Sequence, residues 1–212
     1  MKTCVIFCAG GFDTLAEPIG DSYVIAADGG YAHTKALGIT PDAILGDFDS
    51  LGFVPENAIC HPVEKDDTDA MLAVRLGLEQ GCDRFLLYGS LDGPRLEHTV
   101  ANFQTLAFLA DRGCTGYLIG KTQVVTLLDG GMLRFPASAT GYLSVFAYGG
   151  KAEGICLRGL QYCLEDAALT PDFPLGVSNR FIGEEATVSV KTGRLLVIWE
   201  GRSCLPFHAP KP

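Results

Sequence analysis

Short apolar runs alternate with segments of helical period from residue 3 to about residue 120. This alternation is typical of an open, mainly parallel sheet flanked by helices, because parallel strands need long crossover connections that are usually helical. The expected strands lie at residues 3–9, 23–27, 43–45, 58–61, 85–88 and 116–119, and the expected helices at residues 31–37, 70–79 and 99–111. The last helix has the clearest pattern, with apolar residues at three- and four-residue spacing on one face: Val100, Phe103, Ala107 and Ala110.

Beyond Lys121 the pattern changes to strand-like runs separated by Gly or polar turns, at residues 124–128, 132–135, 142–148, 186–191 and 194–199. These runs predict an all-β second domain. The last two, joined by Thr192-Gly193, predict a tight hairpin. We therefore expect an α/β domain over residues 1–122, a β domain over residues 123–202, and an irregular, proline-rich tail over residues 203–212.

Composition excludes several classes of protein. A net charge of -9 with 16 scattered Lys and Arg residues argues against general nucleic-acid binding, which depends on clustered cations. A hydrophobic content of 48% excludes a disordered chain. The apolar stretch at residues 2–9 is too short for a signal peptide, and no run of about twenty apolar residues occurs. We expect a soluble, cytoplasmic protein with neither a nucleic-acid nor a membrane partner.

The chain has eight cysteines, which mostly lie inside apolar runs and form no CxxC pair. Zinc sites have recognisable ligand spacing, and cysteine is among the residue types most often buried. The cysteines are therefore expected to be small buried hydrophobes rather than disulfide partners or zinc ligands.

Two acidic segments, residues 46–50 (GDFDS) and residues 66–69 (DDTD), each follow a run that predicts a buried strand. Carboxylates that emerge side by side at the carboxyl edge of a sheet repel one another unless a cation joins them. Mg²⁺ takes oxygen ligands and usually shares them with substrate phosphates. The sequence therefore predicts a divalent-metal site at this edge.

Polar segments follow four consecutive predicted strands: Asp28-Gly29-Gly30, the two acidic segments, and the loop at residues 89–95. Ligands of open α/β sheets bind at the carboxyl edge, so these loops are expected to converge on one pocket. Neither a GxxxxGK[ST] nor a GxGxxG pattern occurs, which removes the two commonest nucleotide-binding signatures.

Several of these residues have two possible interpretations. Asp47 and Asp49 would point the same way from an extended segment, with Phe48 packed beneath them, and the alternative is an ordinary surface turn. Thr68 and Asp69 precede a helix, where an N-cap and a ligand role are compatible.

The cations and the loop before the third helix are also open to two readings. Lys65 could pair with a carboxylate or meet a phosphate. Arg95 and the amides of the loop that begins at Gly89 are candidates to hold triphosphate oxygens. His98 could cap or pack against the third helix, or it could take part in catalysis.

The order and spacing of six segments resemble the thiamin pyrophosphokinase family: Ala27-Asp28-Gly29-Gly30, residues 37–42 (LGITPD), residues 46–50, Lys65-Asp66-Asp67-Thr68-Asp69, residues 95–99 (RLEHT) and residues 176–181 (GVSNRF). The likeness extends from Asp28 to Trp199. It implies an α/β domain that binds ATP and Mg²⁺, a C-terminal β-sandwich that helps to bind thiamin, and a homodimer with active sites at the interface. The implied reaction transfers the diphosphate of ATP to the hydroxyl of thiamin and releases AMP.

The resemblance also implies residue roles. Asp47, Asp49 and Asp69 would hold Mg²⁺, and Asp28, Asp49 and Asp69 would form the catalytic acidic group. The nucleotide would be bound by Lys65, Thr68, Gly89, Arg95 and His98, and thiamin by Ser178 and Asn179. Trp199 or Phe181 would stack on thiamin or belong to the core.

This chain departs from the family pattern in the loop before the third helix. Gly93-Pro94-Arg95-Leu96-Glu97-His98 stands where the family usually has Gly-Gly-Arg-x-Asp-His, and Glu97 is kept as a possible site residue. Two other functions compete with the transferase. One is a metal-dependent phosphohydrolase of the haloacid-dehalogenase type, whose nucleophile normally follows the first strand rather than the third. The other is a non-catalytic thiamin or nucleotide sensor.

Overall fold

The chain divides into two units, residues 1–121 and residues 122–212, close to the expected boundary after residue 122. The computed structural model describes residues 1–49, 51–62, 64, 66–201 and 205–209. Within these residues, no helix has both the length and the apolar character that crossing a membrane requires.

The first unit contains the parallel sheet that the alternating pattern predicts. Its strands are β1 (Thr3–Phe7), β2 (Tyr23–Ala27), β3 (Ala43–Gly46), β4 (Ile59–Cys60), β5 (Arg84–Tyr88) and β6 (Thr115–Ile119). Its helices are α1 (Gly30–Leu37), α2 (Asp69–Glu79) and α3 (Leu96–Ala110). The strands pair in parallel in the order β6-β5-β1-β2-β3-β4. Because the chain moves outward from β1 to β4 and then returns to β5 on the other side of β1, the order reverses between β1 and β5, where α/β sheets bind ligands.

The central strands of this sheet are apolar along their whole length. In β1, β2, β5 and β6 every residue after the first is buried. Strands covered by helices on both faces require such continuous apolar runs, which explains why the runs were visible in the sequence.

Helix α3 buries a different face from the one that the spacing marked. Its buried residues are Asn102, Thr105, Leu106 and Leu109, and Val100 is 50% exposed. The reason lies in β6. A Cβ atom at Gly116 would come within 2.7 Å of Leu109 and 2.8 Å of Leu106, so the missing side chain makes room for these two leucines. The helix is therefore oriented by the shape of its neighbouring strand.

The second unit is built from antiparallel strands: β7 (Gln123–Phe135), β8 (Tyr142–Ala147), β9 (Ala152–Arg158), β10 (Leu164–Leu169), β11 (Asn179–Arg180), β12 (Ala186–Glu200) and β13 (Phe207–Ala209). Strand β12 pairs with β7, β8 and β9. Its first half lies with β9 and the end of β7, and its second half with β8 and the start of β7. The two halves face each other, since Phe135 contacts Trp199 with ring centroids 5.3 Å apart. The unit is the expected β-sandwich.

The hairpin predicted at Thr192-Gly193 is wrong. Residues 186–200 form one continuous strand that pairs with β7 on both sides of a β-bulge between Val190 and Arg194. Gly193 has φ +81°, and Gly130 and Gly131 on the opposing strand have φ +64° and +86°. A glycine with positive φ serves a bulge as well as a turn, so the same sequence signal produced a bend here instead of a reversal.

The tail was expected to be irregular, but Phe207–Ala209 forms strand β13, antiparallel to Arg134–Met132 of β7. These three residues follow Pro206 and contain no proline. They can therefore supply the amide hydrogens that a ladder needs.

The cysteines follow the expectation only in part. Cys4, Cys8 and Cys82 are buried, whereas Cys60 and Cys163 are exposed. All seven cysteines that the structure describes are free thiols.

Candidate active site at the carboxyl edge of the parallel sheet

Three carboxylates meet at the ends of β2 and β3. Asp28, Asp47 and Asp49 each place one oxygen within 4.8 Å of the others. They do so because β2 and β3 are neighbours in the sheet and both end at this edge. Oxygen ligands at this separation fit a hard divalent cation, and their mutual repulsion would be relieved by one.

The backbone beneath this cluster is unusual. Asp28 has φ +47° and Phe48 has φ +58°, a left-handed conformation that costs non-glycine residues about 1 kcal/mol or more. The expected extended geometry of residues 47–49 is therefore wrong, although Phe48 does pack beneath the carboxylates and is 3% exposed. The amide of Asp49 donates to Asp47 Oδ1 at 3.3 Å. A tight turn thus brings together the two carboxylates that the sequence marked.

Asp69 is not a member of this trio. It is the first residue of α2, after Thr68, whose hydroxyl accepts a hydrogen bond from the Met71 amide at 3.2 Å and so forms the expected N-cap. Asp69 lines the same cavity as Asp28. Neighbouring Asp67 pairs with Arg75 at 2.7 Å. Lys65 and Ser50, which belong to the predicted motifs, lie outside the described residues.

The cavity has a volume of about 140 Å³ and is walled by the loops that follow β1 and β5. Gly10 donates its amide to the Gly89 carbonyl at 2.9 Å. A Cβ atom on either glycine would overlap the carbonyl oxygen of the other, so the loops approach as closely as backbone allows. This contact sits at the reversal of strand order. Gly89 was predicted as a site residue, and Gly10 was missed although it directly follows the first apolar run.

The cavity also has a cationic wall, formed by the end of the loop after β5 and the start of α3 and named for Arg95. Gly93, Pro94, Arg95, His98 and the polar residues Thr99 and Asn102 of α3 line it. Arg95 occupies the N-cap position of α3 without a side-chain cap hydrogen bond, and its side chain is exposed. The first amides of a helix carry a partial positive charge, so Arg95 and this helix end together suit an anion. Glu97 is exposed on the same helical turn and does not line the cavity.

Cys8 is also part of the cavity wall. Burial, followed by the negative charge of Asp69, raises the pKa of the Cys8 thiol to about 12. The thiol therefore stays protonated at neutral pH, which argues against a nucleophilic cysteine here.

In the second unit, Ser178 and Asn179 have different surroundings. Asn179 is 4% exposed. Its side-chain Nδ2 donates to the Tyr162 carbonyl at 2.6 Å, and its side-chain Oδ1 accepts from the Tyr162 backbone amide at 2.9 Å. Ser178 is exposed, has φ +61°, and donates its amide to the Ser144 hydroxyl at 3.0 Å. Asn179 thus ties this turn to the backbone of Tyr162, and Ser178 remains exposed.

A groove of about 220 Å³ adjoins this turn, lined mainly by Leu157, Tyr162, Leu164, Leu175, Gly176 and Val177. Trp199 and Phe181 are 1% and 6% exposed and pack on Phe135. Both aromatics therefore belong to the core, the alternative that the sequence left open.

An open parallel sheet with acidic residues and a glycine-walled cavity at its carboxyl edge defines an α/β enzyme with its ligand site at the switch in strand order. Residues 19–118 match the family profile described as "Thiamin pyrophosphokinase, catalytic domain", and residues 133–196 match that of the "vitamin B1 binding domain". The chain belongs to the thiamin pyrophosphokinase family.

Solved structures agree with this assignment. A thiamine pyrophosphokinase from Bacillus subtilis is 26% identical with a TM-score of 0.82, over 94% of this chain and 99% of that one. A thiamin pyrophosphokinase family protein from Enterococcus faecalis is 27% identical with a TM-score of 0.79, over 95% and 99%. The enzyme from Candida albicans, at 15% identity over 94% of this chain and 88% of that one, shares the fold with a TM-score of 0.70. None of the curated proteins compared by sequence matches the chain.

Proposed function

We infer that this chain is a thiamin diphosphokinase, which transfers the diphosphate of ATP to the hydroxyl of thiamin and gives thiamin diphosphate and AMP. Family membership over both units supports this function. The structural observation that carries it is the meeting of Asp28, Asp47 and Asp49 beside a cavity with a cationic wall. A triphosphate needs positive charge around it, and a chain of net charge -9 must gather that charge locally.

We propose that Asp28, Asp47 and Asp49 hold Mg²⁺. The donor set fits, since it consists of three carboxylates that each place one oxygen within 4.8 Å of the others. When bound, the ion would neutralise phosphate charge and align the triphosphate. Asp69 lies outside the trio and on the cavity wall. A general base must lie within reach of the proton that it accepts, and we assign Asp69, on the cavity wall, to accept the hydroxyl proton of thiamin.

The phosphates themselves are assigned to the cationic wall. Arg95 and the N-terminal amides of α3 would offset the negative charge that moves to AMP as the bond to the β-phosphorus forms. Gly89 allows the backbone to come close, and Thr68 and His98 border the cavity. The effect of these groups is positioning and charge neutralisation.

Thiamin is assigned to the exposed turn of the second unit. Ser178 offers its hydroxyl there, and the adjoining apolar groove suits an aromatic ligand.

We also propose a homodimer. Large apolar side chains around the turn are exposed to solvent: Tyr162 at 61%, Phe173 at 64%, Leu175 at 53%, Val177 at 44% and Ile182 at 49%. A patch of this kind on a soluble chain marks an interaction surface. Sedimentation equilibrium of the wild type and of a Phe173→Asp variant measures this directly, and a wild-type monomer would contradict it. A cytoplasmic location is supported by the free thiols of all described cysteines.

Incubation with ATP, Mg²⁺ and thiamin tests the function. Equal amounts of AMP and thiamin diphosphate are expected by chromatography. ADP would indicate an ordinary kinase. Inorganic phosphate without thiamin dependence would indicate a phosphohydrolase, and binding without product would indicate a sensor.

A further inference from the structure

Backbone carbonyl oxygens in both loops that wall the cavity are held by side chains from the helices. Three such hydrogen bonds occur: His33 Nε2 with the Gly10 carbonyl at 2.9 Å, Asn102 Nδ2 with the Ser90 carbonyl at 2.7 Å, and Thr99 Oγ1 with the Leu91 carbonyl at 3.1 Å. The two loops meet where Gly10 contacts Gly89. Carbonyl oxygens of both loops are therefore held in the same way, by side chains from helices.

These contacts set the direction of the neighbouring amides. A peptide unit is planar and trans, so its N–H points away from its carbonyl. Holding the Ser90 carbonyl therefore fixes the Leu91 amide, and holding the Gly10 carbonyl fixes the Gly11 amide. A carbonyl oxygen that turned into the cavity would repel phosphate oxygens, whereas amide hydrogens attract them.

The bond from Asn102 is the most sheltered of the three. Asn102 is 6% exposed and Ser90 is 4% exposed. The Ser90 hydroxyl also donates to the Leu87 carbonyl at 2.7 Å. An amide side chain on the buried face of a helix is costly unless it is hydrogen-bonded, and here its partner belongs to the cavity loop.

A neighbour on the same helix provides a contrast. Thr105 is 1% exposed and donates to the Ala101 carbonyl at 3.1 Å, inside α3 itself. Thr105 does not line the cavity, whereas Thr99 and Asn102 do. Of these three polar residues of α3, Thr105 therefore bonds within the helix, whereas Thr99 and Asn102 bond to the cavity loop.

We propose that Asn102, Thr99 and His33 are positioning residues for the phosphates of ATP. They hold the carbonyls of the loops after β1 and β5, so that the backbone of Gly10 and Ser90 keeps its shape at the cavity and these carbonyl oxygens do not turn towards the triphosphate. This assignment rests on the proposed transferase function, and it concerns ATP rather than thiamin.

Steady-state kinetics of Asn102→Ala, Thr99→Val and His33→Leu test the proposal. Each is expected to raise the KM for ATP, about tenfold for Asn102→Ala and several-fold for the other two, while the KM for thiamin stays within twofold. The inhibition constant of inorganic triphosphate should rise in parallel. Thr99→Ser retains the hydroxyl and should restore the KM for ATP to within twofold of wild type.

Thr105→Val is the matched control, since it removes a buried hydroxyl from the same helix without touching the loop. Its KM for ATP should equal that of the wild type even if its melting temperature falls. An unchanged KM for ATP in both Asn102→Ala and Thr99→Val, or an equal rise for both substrates, would overturn the proposal. If Asn102→Ala fails to fold, Thr99→Val decides alone. Wild type that forms no AMP would instead contradict the transferase function itself.

Discussion

The acidic cluster of the first unit and the Ser178-Asn179 turn of the second are built on similar backbone but use their side chains differently. Asp28, Phe48 and Ser178 all have positive φ. The carboxylates follow two separate strands and converge, whereas Asn179 directs its side chain to the backbone of Tyr162 in a neighbouring segment. The residues of the family motifs therefore divide into those whose side chains are available to a ligand and those whose side chains hold the backbone by hydrogen bonds.

The largest expected effect separates these two groups. Asp49→Asn should lower kcat by a factor on the order of 10³, because one ligand of the proposed ion is weakened. Its melting temperature without metal should equal or exceed that of the wild type, since the substitution removes like-charge repulsion. Discontinuous assay of AMP and thermal unfolding measure the two effects.

The exposed carboxylate Asp21 provides the control for Asp49. Asp21→Asn should leave both activity and melting temperature unchanged. Wild-type activity in Asp49→Asn would remove Asp49 from the site.

Asn179→Ala should act on stability instead. It removes a buried side-chain amide and its three hydrogen bonds to the backbone of Tyr162 and Arg180, so a loss of about 2–4 kcal/mol is expected. Trp199, the only tryptophan in the sequence, lies in this unit and reports its unfolding by fluorescence. Gln161→Ala changes an exposed amide next to this turn and should stay within about 0.5 kcal/mol. Full stability with a raised KM for thiamin would show that Asn179 touches the substrate.

Substitutions of Ser178 separate the effect of backbone strain from the effect of the exposed hydroxyl. Ser178→Gly should stabilise the second unit by about 0.5–1 kcal/mol, because glycine adopts φ +61° without steric cost. Ser178→Ala keeps the Cβ atom and removes the hydroxyl, so it should raise the KM for thiamin at unchanged stability. Urea unfolding measures the stability of Ser178→Gly and Ser178→Ala, and steady-state kinetics measure their KM for thiamin. If glycine destabilises the unit, the backbone at this position is not strained.

The smallest expected effect concerns pH. Burial lowers the pKa of His208 in β13 below its ordinary value. The unfolded chain then binds the proton more readily, so stability conferred by the neutral ring is present above about pH 6.5 and is lost as the pH falls through the lower folded pKa. The free energy of unfolding followed by Trp199 should decrease between about pH 7 and 5, and His208→Gln should flatten that slope. His61→Gln, in the first unit, should leave the slope unchanged.

Much of the first unit could be predicted from the sequence because parallel strands are buried on both faces and appear as apolar runs. The acidic segment at residues 46–49 does follow β3 as expected, but its turn was not predicted: an extended segment was expected, and the left-handed Phe48 could not be foreseen from the letters GDFDS. The face that α3 buries depends on Gly116, which is distant in sequence, so spacing along the helix alone pointed to the wrong face.

The second unit and the cavity were harder to predict for a related reason. Thr192-Gly193 has the composition of a turn, and only the partner strand with Gly130 and Gly131 makes it a bulge. Asn102 appears in the sequence as one polar residue within an apolar helix. Its contact with Ser90 depends on how the loop after β5 returns to that helix.

The two bent strands of the sandwich have a consequence for how that unit comes apart. Strands β7 and β12 are paired along both halves of the sandwich. One half therefore cannot unfold without disturbing the pairing of the other. Amide hydrogen exchange in the two sheets should therefore be lost together as one cooperative opening. The pairing joins residues from opposite ends of the unit, such as Glu200 with Gln123, so formation must await closure of a long loop. The sandwich is thus expected to assemble late and to open as a whole.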